Sequence, residues 1–221
     1  MIESQGNNQR YMEIVSRTFK GEWLVDILQE AKPAITSGHY IYPADENGSH
    51  TQGFFLLDRI AKKRFVELIV NDMAHWAHNA GPKFDVIIAP NQPSVRTLIG
   101  ELGSRLGKSV AYLEYFHTGR FGNRIVEGEI RTGDCVLICN GVSFQGNCVG
   151  NKLPGVAKEY GGEIAGIAVF AKNNTSLLKD LHAQFGQSFY STIEINIPIY
   201  SKNTCPYCKE SDPTPWTEIE T

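Results

Sequence analysis

Short, unbroken apolar runs recur through the second half of this chain, and they constrain its fold more than any other feature. D-V-I-I-A-P (85–90), C-V-L-I-C (135–139) and I-A-G-I-A-V-F-A (164–171) are each bounded by polar residues. Strands buried on both faces read this way. Between and after them lie segments of helical character: Ser94–Leu106, closed by Gly107, then Val149–Tyr160, closed by Gly161-Gly162, and Ser176–Phe185. Ser109–Tyr115 and Tyr190–Ile197 complete the strand set. Repeated strand–helix alternation with apolar strands predicts an α/β fold, a parallel sheet flanked by helices and joined by right-handed crossovers.

Ligands of such sheets sit beyond the carboxyl ends of the strands. The loops Pro90–Val95, His117–Arg131 and Asn140–Asn147 all fall at that edge and define a candidate pocket. His117–Arg131 is polar, Gly-rich and without periodicity, so a mobile loop is expected there. In the third loop the apolar run stops at Asn140-Gly141, and Gly146-Asn147 opens a helical segment. Backbone N–H groups of Gln145, Gly146 and Asn147 can hold a phosphate in that setting. An ordinary turn that binds nothing is the competing reading.

The first third is organised differently. Asn8–Ala31 carries helical spacing at Tyr11, Ile14 and Val15, and again at Leu24, Ile27 and Leu28, before Pro33. Alternation around Ile41 and the Asn47-Gly48 turn signal predict a hairpin outside the main sheet. A helix is expected over Leu57–His78, with Ile60, Phe65, Ile69 and Met73 facing inward. The expected organisation is N-terminal helices and hood strands over 1–60, the α/β core over 61–200 and a tail over 201–221.

Charge and cysteine usage narrow the class. A net charge of -3 offers no basic field for nucleic acid. The polar start M-I-E-S-Q-G-N-N-Q-R has no apolar signal core, and no stretch is long enough to cross a bilayer. The 5 cysteines, an odd number, point to a reducing, cytoplasmic setting rather than a disulfide framework. Cys135, Cys139 and Cys148 read as core thiols. Cys205 and Cys208 form a lone C-x-x-C, a weak metal candidate without a second pair. His50, beside the turn, reads as a surface histidine. Phe54 and Phe55 read as core rather than as a base-facing pair, and Trp23, Trp76 and Trp216 as packing residues.

At several of these points the chain resembles the type I phosphoribosyltransferases, and most closely the bacterial orotate phosphoribosyltransferases. G-H-Y-I-Y-P-A-D-E-N-G-S-H-T-Q-G-F-F (38–55) is similar to that family's N-terminal base-side segment. D-V-I-I-A-P-N-Q-P-S-V (85–95) is similar to its pyrophosphate-loop strand, and Y-L-E-Y with G-R-F-G-N-R to its flexible catalytic loop. V-L-I-C-N-G-V-S-F-Q-G-N (136–147) falls on its phosphoribosyl pyrophosphate signature, and C-P-Y-C on a C-P-x-C ending of some members. The resemblance implies a hooded α/β fold, a two-fold homodimer, and a phosphate site at Asn91, Gln92, Ser94, Asn140, Gly141, Phe144, Gln145, Gly146 and Asn147. His117, Arg120 and Arg124 are the loop candidates for catalysis.

The departures bear on activity. Where the family has two adjacent acids that hold the ribose and support Mg²⁺, this chain has Asn140 and Gly141; an amide and a bare backbone cannot replace carboxylates near that ion. Phe144-Gln145-Gly146 replaces the phosphate-cradling Thr-Thr-Gly, Pro93-Ser94 replaces a Gly-Gly, and Tyr115 stands where a lysine would follow Glu114. The expected function is therefore a phosphoribosyltransferase-like subunit with a remodelled, catalytically impaired site. It would bind a nucleotide, another phosphorylated small molecule or a protein partner, and would need Mg²⁺ only if active. Orotate-type phosphoribosyl transfer, and a related ribosyl or glycosidic chemistry, remain the alternatives.

Overall fold

The computed structural model describes residues 38–42, 48–60 and 63–215. The helix expected over Asn8–Ala31, together with Trp23, Asn47 and Trp216, lies outside the described residues. The chain divides into two units. The larger spans Ala61–Tyr115 and Phe121–Glu194; the smaller takes in the chain up to Ile60, Phe116–Arg120 and Ile195 onward.

The smaller unit holds a three-stranded antiparallel sheet in the order β1-β2-β9. Its strands are β1 (Tyr40–Ile41), β2 (His50–Thr51) and β9 (Ile199–Tyr200), with Tyr40 opposite Thr51 and His50 opposite Tyr200. The expected hairpin is thus present, with Gly48 taking φ +65° in its turn, and a third strand from far along the chain joins it. The Thr51 hydroxyl donates to the Pro198 carbonyl at 3.0 Å. Phe54 and Phe55 are buried, as expected for core residues.

The larger unit is built on a six-stranded sheet in the order β5-β4-β3-β6-β7-β8. Its strands are β3 (Val86–Pro90), β4 (Ser109–Tyr115), β5 (Phe121–Glu127), β6 (Cys135–Ser143), β7 (Glu163–Asn173) and β8 (Phe189–Ile195). β3 pairs in parallel with β4 and β6, and β6 in parallel with β7. The apolar runs are central strands: Ile87, Ile88, Leu137, Ile138 and Ile167 are fully buried. Such strands need cover on both faces. Four helices belong to this unit's described residues: α1 (Lys63–Asn79), α2 (Pro93–Leu106), α3 (Leu153–Glu159) and α4 (Ser176–Phe185). On α1, Phe65, Ile69 and Met73 are buried at helical spacing. α2 stops at Gly107, whose φ of +63° suits a residue without a side chain. Trp76 stacks on Tyr190 with ring centroids 5.0 Å apart and donates to the Gln187 carbonyl, the packing role expected of it.

Three expectations are corrected. The sheet is mixed, because β5 runs antiparallel to β4. The mobile loop expected over His117–Arg131 holds that strand at its centre, and a tight turn precedes it. The turn closes through Gly119 N–H to the Phe116 carbonyl and Phe116 N–H to the Arg120 carbonyl, both 2.9 Å. The helix expected from Leu57 begins at Lys63, Leu57–Arg59 forming a separate 3-10 turn. No helix among the described residues is long and apolar enough to cross a membrane.

Ile138 lies in the cluster that joins β3, β6 and β7 to α3 and α4. Ile138→Ala removes buried methyl groups and leaves a cavity, so it should lower unfolding stability by about 2–5 kcal/mol. Val126→Thr on β5, where Val126 is 41% exposed, should stay within about 0.5 kcal/mol. Urea titration of both variants checks the contrast.

Candidate functional site

β3 and β6 are neighbours and parallel, with Ile88 opposite Ile138. Their carboxyl ends therefore open onto one rim, where Asn91, Gln92, Ser94 and the 140–147 segment are gathered as the sequence predicts. The strand does not stop at Asn140, however. β6 continues to Ser143 because β7 pairs with it throughout, Asn140 opposite Val169, Val142 opposite Ala171 and Ser143 opposite Lys172. Gly141 keeps out of the left-handed region, so this Asn-Gly is strand rather than turn.

Asn140 is buried, and its Oδ1 accepts the Gly141 N–H at 2.8 Å. Phe144 is also buried, so its side chain packs inside and only its backbone can face the rim. The Gln145 carbonyl accepts the Thr175 hydroxyl at 3.1 Å, and Thr175 in turn caps α4 through Leu178 N–H. Gly146 sits at φ +102°, and an added Cβ would lie 3.0 Å from Leu178 and 3.2 Å from Leu177. Asn147 donates to Gln145 Oε1 at 3.1 Å and leads into a π-helical turn, Cys148–Lys152, ahead of α3.

On the β3 side, Pro93 opens α2 at its first position with Gln92 as the extended N-cap. Proline's missing N–H is no loss there, because the first helical N–H has no partner within the helix. Asn91 Oδ1 accepts from Arg96 at 3.0 Å, and Arg96 also pairs with Glu127 at 2.6 Å and lies over the Tyr112 ring. The hydrogen bond that Arg96 donates to Glu127 is the main reason its guanidinium holds its proton above its ordinary range.

Two hydroxyls at this rim stand out. Ser94 Oγ and Ser143 Oγ are both buried and have no hydrogen-bond partner among the described residues. Beside Ser143 in register is Lys172, also buried, whose Nζ reaches Glu194 at 2.7 Å and His182 Nδ1 at 3.4 Å. Sequence reasoning missed both Ser143 and Lys172; a lysine closing the apolar run F-A-K-N was the available signal. His117 and Arg120 are exposed in the turn before β5, within the residues of the smaller unit. Arg124 lies on β5, and Glu114 takes up its charge at 2.7 Å.

Mg²⁺ bound with a sugar pyrophosphate needs anionic oxygens at the end of β6. Asn140 is neutral with its oxygen already engaged, and Gly141 has no side chain, so these positions do not fit that ion. Burial pushes the Cys148 thiol up to about 12 and holds Cys139 higher still; Cys139 is a buried core thiol, and Cys148 packs half-buried against the core.

The tail departs from expectation. His50 is buried, not a surface residue, and stands with His39, Cys205 and Cys208 in one cluster of the smaller unit.

No family model matches the chain. The fold is that of the type I phosphoribosyltransferases. The adenine phosphoribosyltransferase of Thermoanaerobacter pseudethanolicus superposes with a TM-score of 0.55 at 17% identity, covering 76% of this chain and 99% of that one. The orotate phosphoribosyltransferase of Mycobacterium tuberculosis superposes with a TM-score of 0.56 at 19% identity, covering 77% and 94%. In sequence, the chain is similar to the orotate phosphoribosyltransferase of Caldanaerobacter subterraneus subsp. tengcongensis, 24% identical over 196 residues, 87% of this chain and 94% of that protein.

Gly146→Ala tests how the turn after β6 is held. The backbone there is strained for any L side chain and the methyl group would press on α4, so a loss of at least about 1–2 kcal/mol is expected. Thermal unfolding monitored by circular dichroism measures it.

Proposed function

We propose that this phosphoribosyltransferase-like chain binds a phosphorylated small molecule, a ribose 5-phosphate or nucleoside monophosphate, at the rim of β3 and β6. In this reading it does so without running Mg²⁺-dependent phosphoribosyl transfer at an ordinary rate. The observation that carries the reading is the pairing of two features on one rim: buried, unpartnered Ser94 and Ser143 hydroxyls, and an engaged amide where anions would hold the metal. Buried polar groups are normally satisfied, so such hydroxyls suit a ligand or water oxygen. Losing a preorganised electrostatic group costs about 3–4 kcal/mol in comparable sites, and losses within one site do not simply add. Replacement of two carboxylates therefore lowers turnover by orders of magnitude.

A second reading, an active enzyme making a nucleotide from orotate, is favoured by one observation. The relatives that match nearly the whole chain are named orotate phosphoribosyltransferases, at 24% and 26% identity.

Isothermal titration with ribose 5-phosphate, orotidine monophosphate and phosphoribosyl pyrophosphate, each with and without Mg²⁺, separates the two. Phosphate-ligand binding indifferent to Mg²⁺, weakened by Ser143→Ala, and no consumption of orotate are expected. Mg²⁺-dependent binding of the pyrophosphate with orotate turnover at an ordinary enzyme rate, about 1 per second or faster, would establish the second reading instead.

A further inference from the structure

The cluster of His39, His50, Cys205 and Cys208 is independent of the sheet rim and of the function proposed for it. His39 immediately precedes β1 and His50 lies on β2, so one hairpin presents both imidazoles. The tail after β9 supplies Cys205 and then Cys208 from the 3-10 turn Pro206–Lys209. The tail is tied back to the same hairpin, with Thr214 N–H donating to the His39 carbonyl at 2.8 Å and Ile41 N–H to the Thr214 carbonyl at 3.0 Å.

The spacing of the four donor atoms is that of a coordination shell. His39 Nε2 is 3.0 Å from His50 Nδ1, 3.3 Å from Cys205 Sγ and 3.8 Å from Cys208 Sγ; Cys208 Sγ is 3.1 Å from His50 Nδ1. All four atoms fall within 4.8 Å of one another. A tetrahedron with Zn–N near 2.0–2.1 Å and Zn–S near 2.3 Å has edges of about 3.3–3.8 Å.

Hydrogen bonding alone accounts for this cluster poorly. His39 Nδ1 donates to the Ser211 carbonyl at 2.9 Å, which leaves Nε2 a single lone pair aimed at three neighbours. Only one of them can donate to it, and His39, His50 and Cys205 are all buried. A central cation satisfies all four donors together. The bond to Ser211 is also the outer contact that fixes a ligating imidazole's tautomer.

We propose that His39 Nε2, His50 Nδ1, Cys205 Sγ and Cys208 Sγ bind one zinc ion that fastens the C-terminal tail to the N-terminal hairpin. Binding releases one proton from each of the two thiols, and two thiolates with two neutral imidazoles leave the Zn²⁺ site without net charge, as a buried position demands. Four protein ligands fill the tetrahedron and leave no open position, so the ion is structural.

The test uses the full-length protein, purified without chelator, with metal content measured by inductively coupled plasma mass spectrometry. About one zinc per chain is expected. Replacement with Co²⁺ should give the intense visible bands of a tetrahedral thiolate site. Cys205 and Cys208 should resist a thiol reagent until a chelator is added, and metal removal should expose the tail to proteolysis. Cys208→Ser and His50→Asn should each lower zinc affinity at least tenfold. A wild-type chain that takes up no zinc on reconstitution overturns the proposal, as does a Cys205–Cys208 disulfide in protein prepared under reducing conditions. An octahedral cobalt spectrum also overturns it. None of these readouts depends on phosphate-ligand binding at the rim, so each proposal stands or falls alone.

Discussion

The parallel pairing of β6 with β7, in one register from Leu137 onward, is the constraint on which the rim depends. It begins at Cys135 opposite Glu163 and is maintained out to Ser143 opposite Lys172. In a loop, Asn140 and Gly141 would be free to turn their polar groups toward a ligand. Held in the part of β6 that pairs with β7, Asn140 opposite Val169 and Val142 opposite Ala171, they are fixed in a strand, and the Asn140 side chain is committed to its neighbour's N–H. The polar groups left over are the Ser143 hydroxyl at the last paired position, which has no hydrogen-bond partner among the described residues, and the start of the next turn. The chemistry available at this edge is consequently that of hydroxyls, backbone and the nearby Lys172, not of paired carboxylates.

The same pairing explains where sequence reasoning held and where it did not. β3, β4, α2 and α4 were legible because their signals are local: apolar runs of strand length, helical segments between them, and a glycine just after a helix end. Asn140-Gly141 misled because the pair is a strong turn signal in isolation, and an adjacent strand overrode it. β5 was illegible for a related reason. F-G-N-R-I-V-E sits at the sheet's edge with most side chains exposed or half-buried, so it has neither the unbroken apolar run of a central strand nor a clean alternation. Its position comes from pairing with β4 across a tight turn, a contact that periodicity does not register.

Pro93 shows how a residue's cost depends on the element it occupies. As a replacement in an anion-binding loop it removes a donor; as the first residue of α2 it removes a group that had no helical partner and presets the backbone angle. The local fold therefore accepts Pro93 without strain, and what remains at that turn is the buried Ser94 hydroxyl.

The histidine–cysteine cluster was hidden from sequence reasoning by distance. Cys205-Pro-Tyr-Cys208 alone is half a metal site, and the sequence holds no second C-x-x-C to complete it. The partners are histidines 155 and 166 residues upstream of Cys205, since 205 minus 50 is 155 and 205 minus 39 is 166. They are brought together by β2 pairing with β9. The need for such a fastening follows from the scale of the elements. The three strands of this sheet have two residues each, too few ladder bonds to hold a chain end on their own. Closing so long a loop by backbone pairing alone sets a large chain entropy against a few hydrogen bonds. Four converging ligands answer that deficit at the point where the tail meets the hairpin.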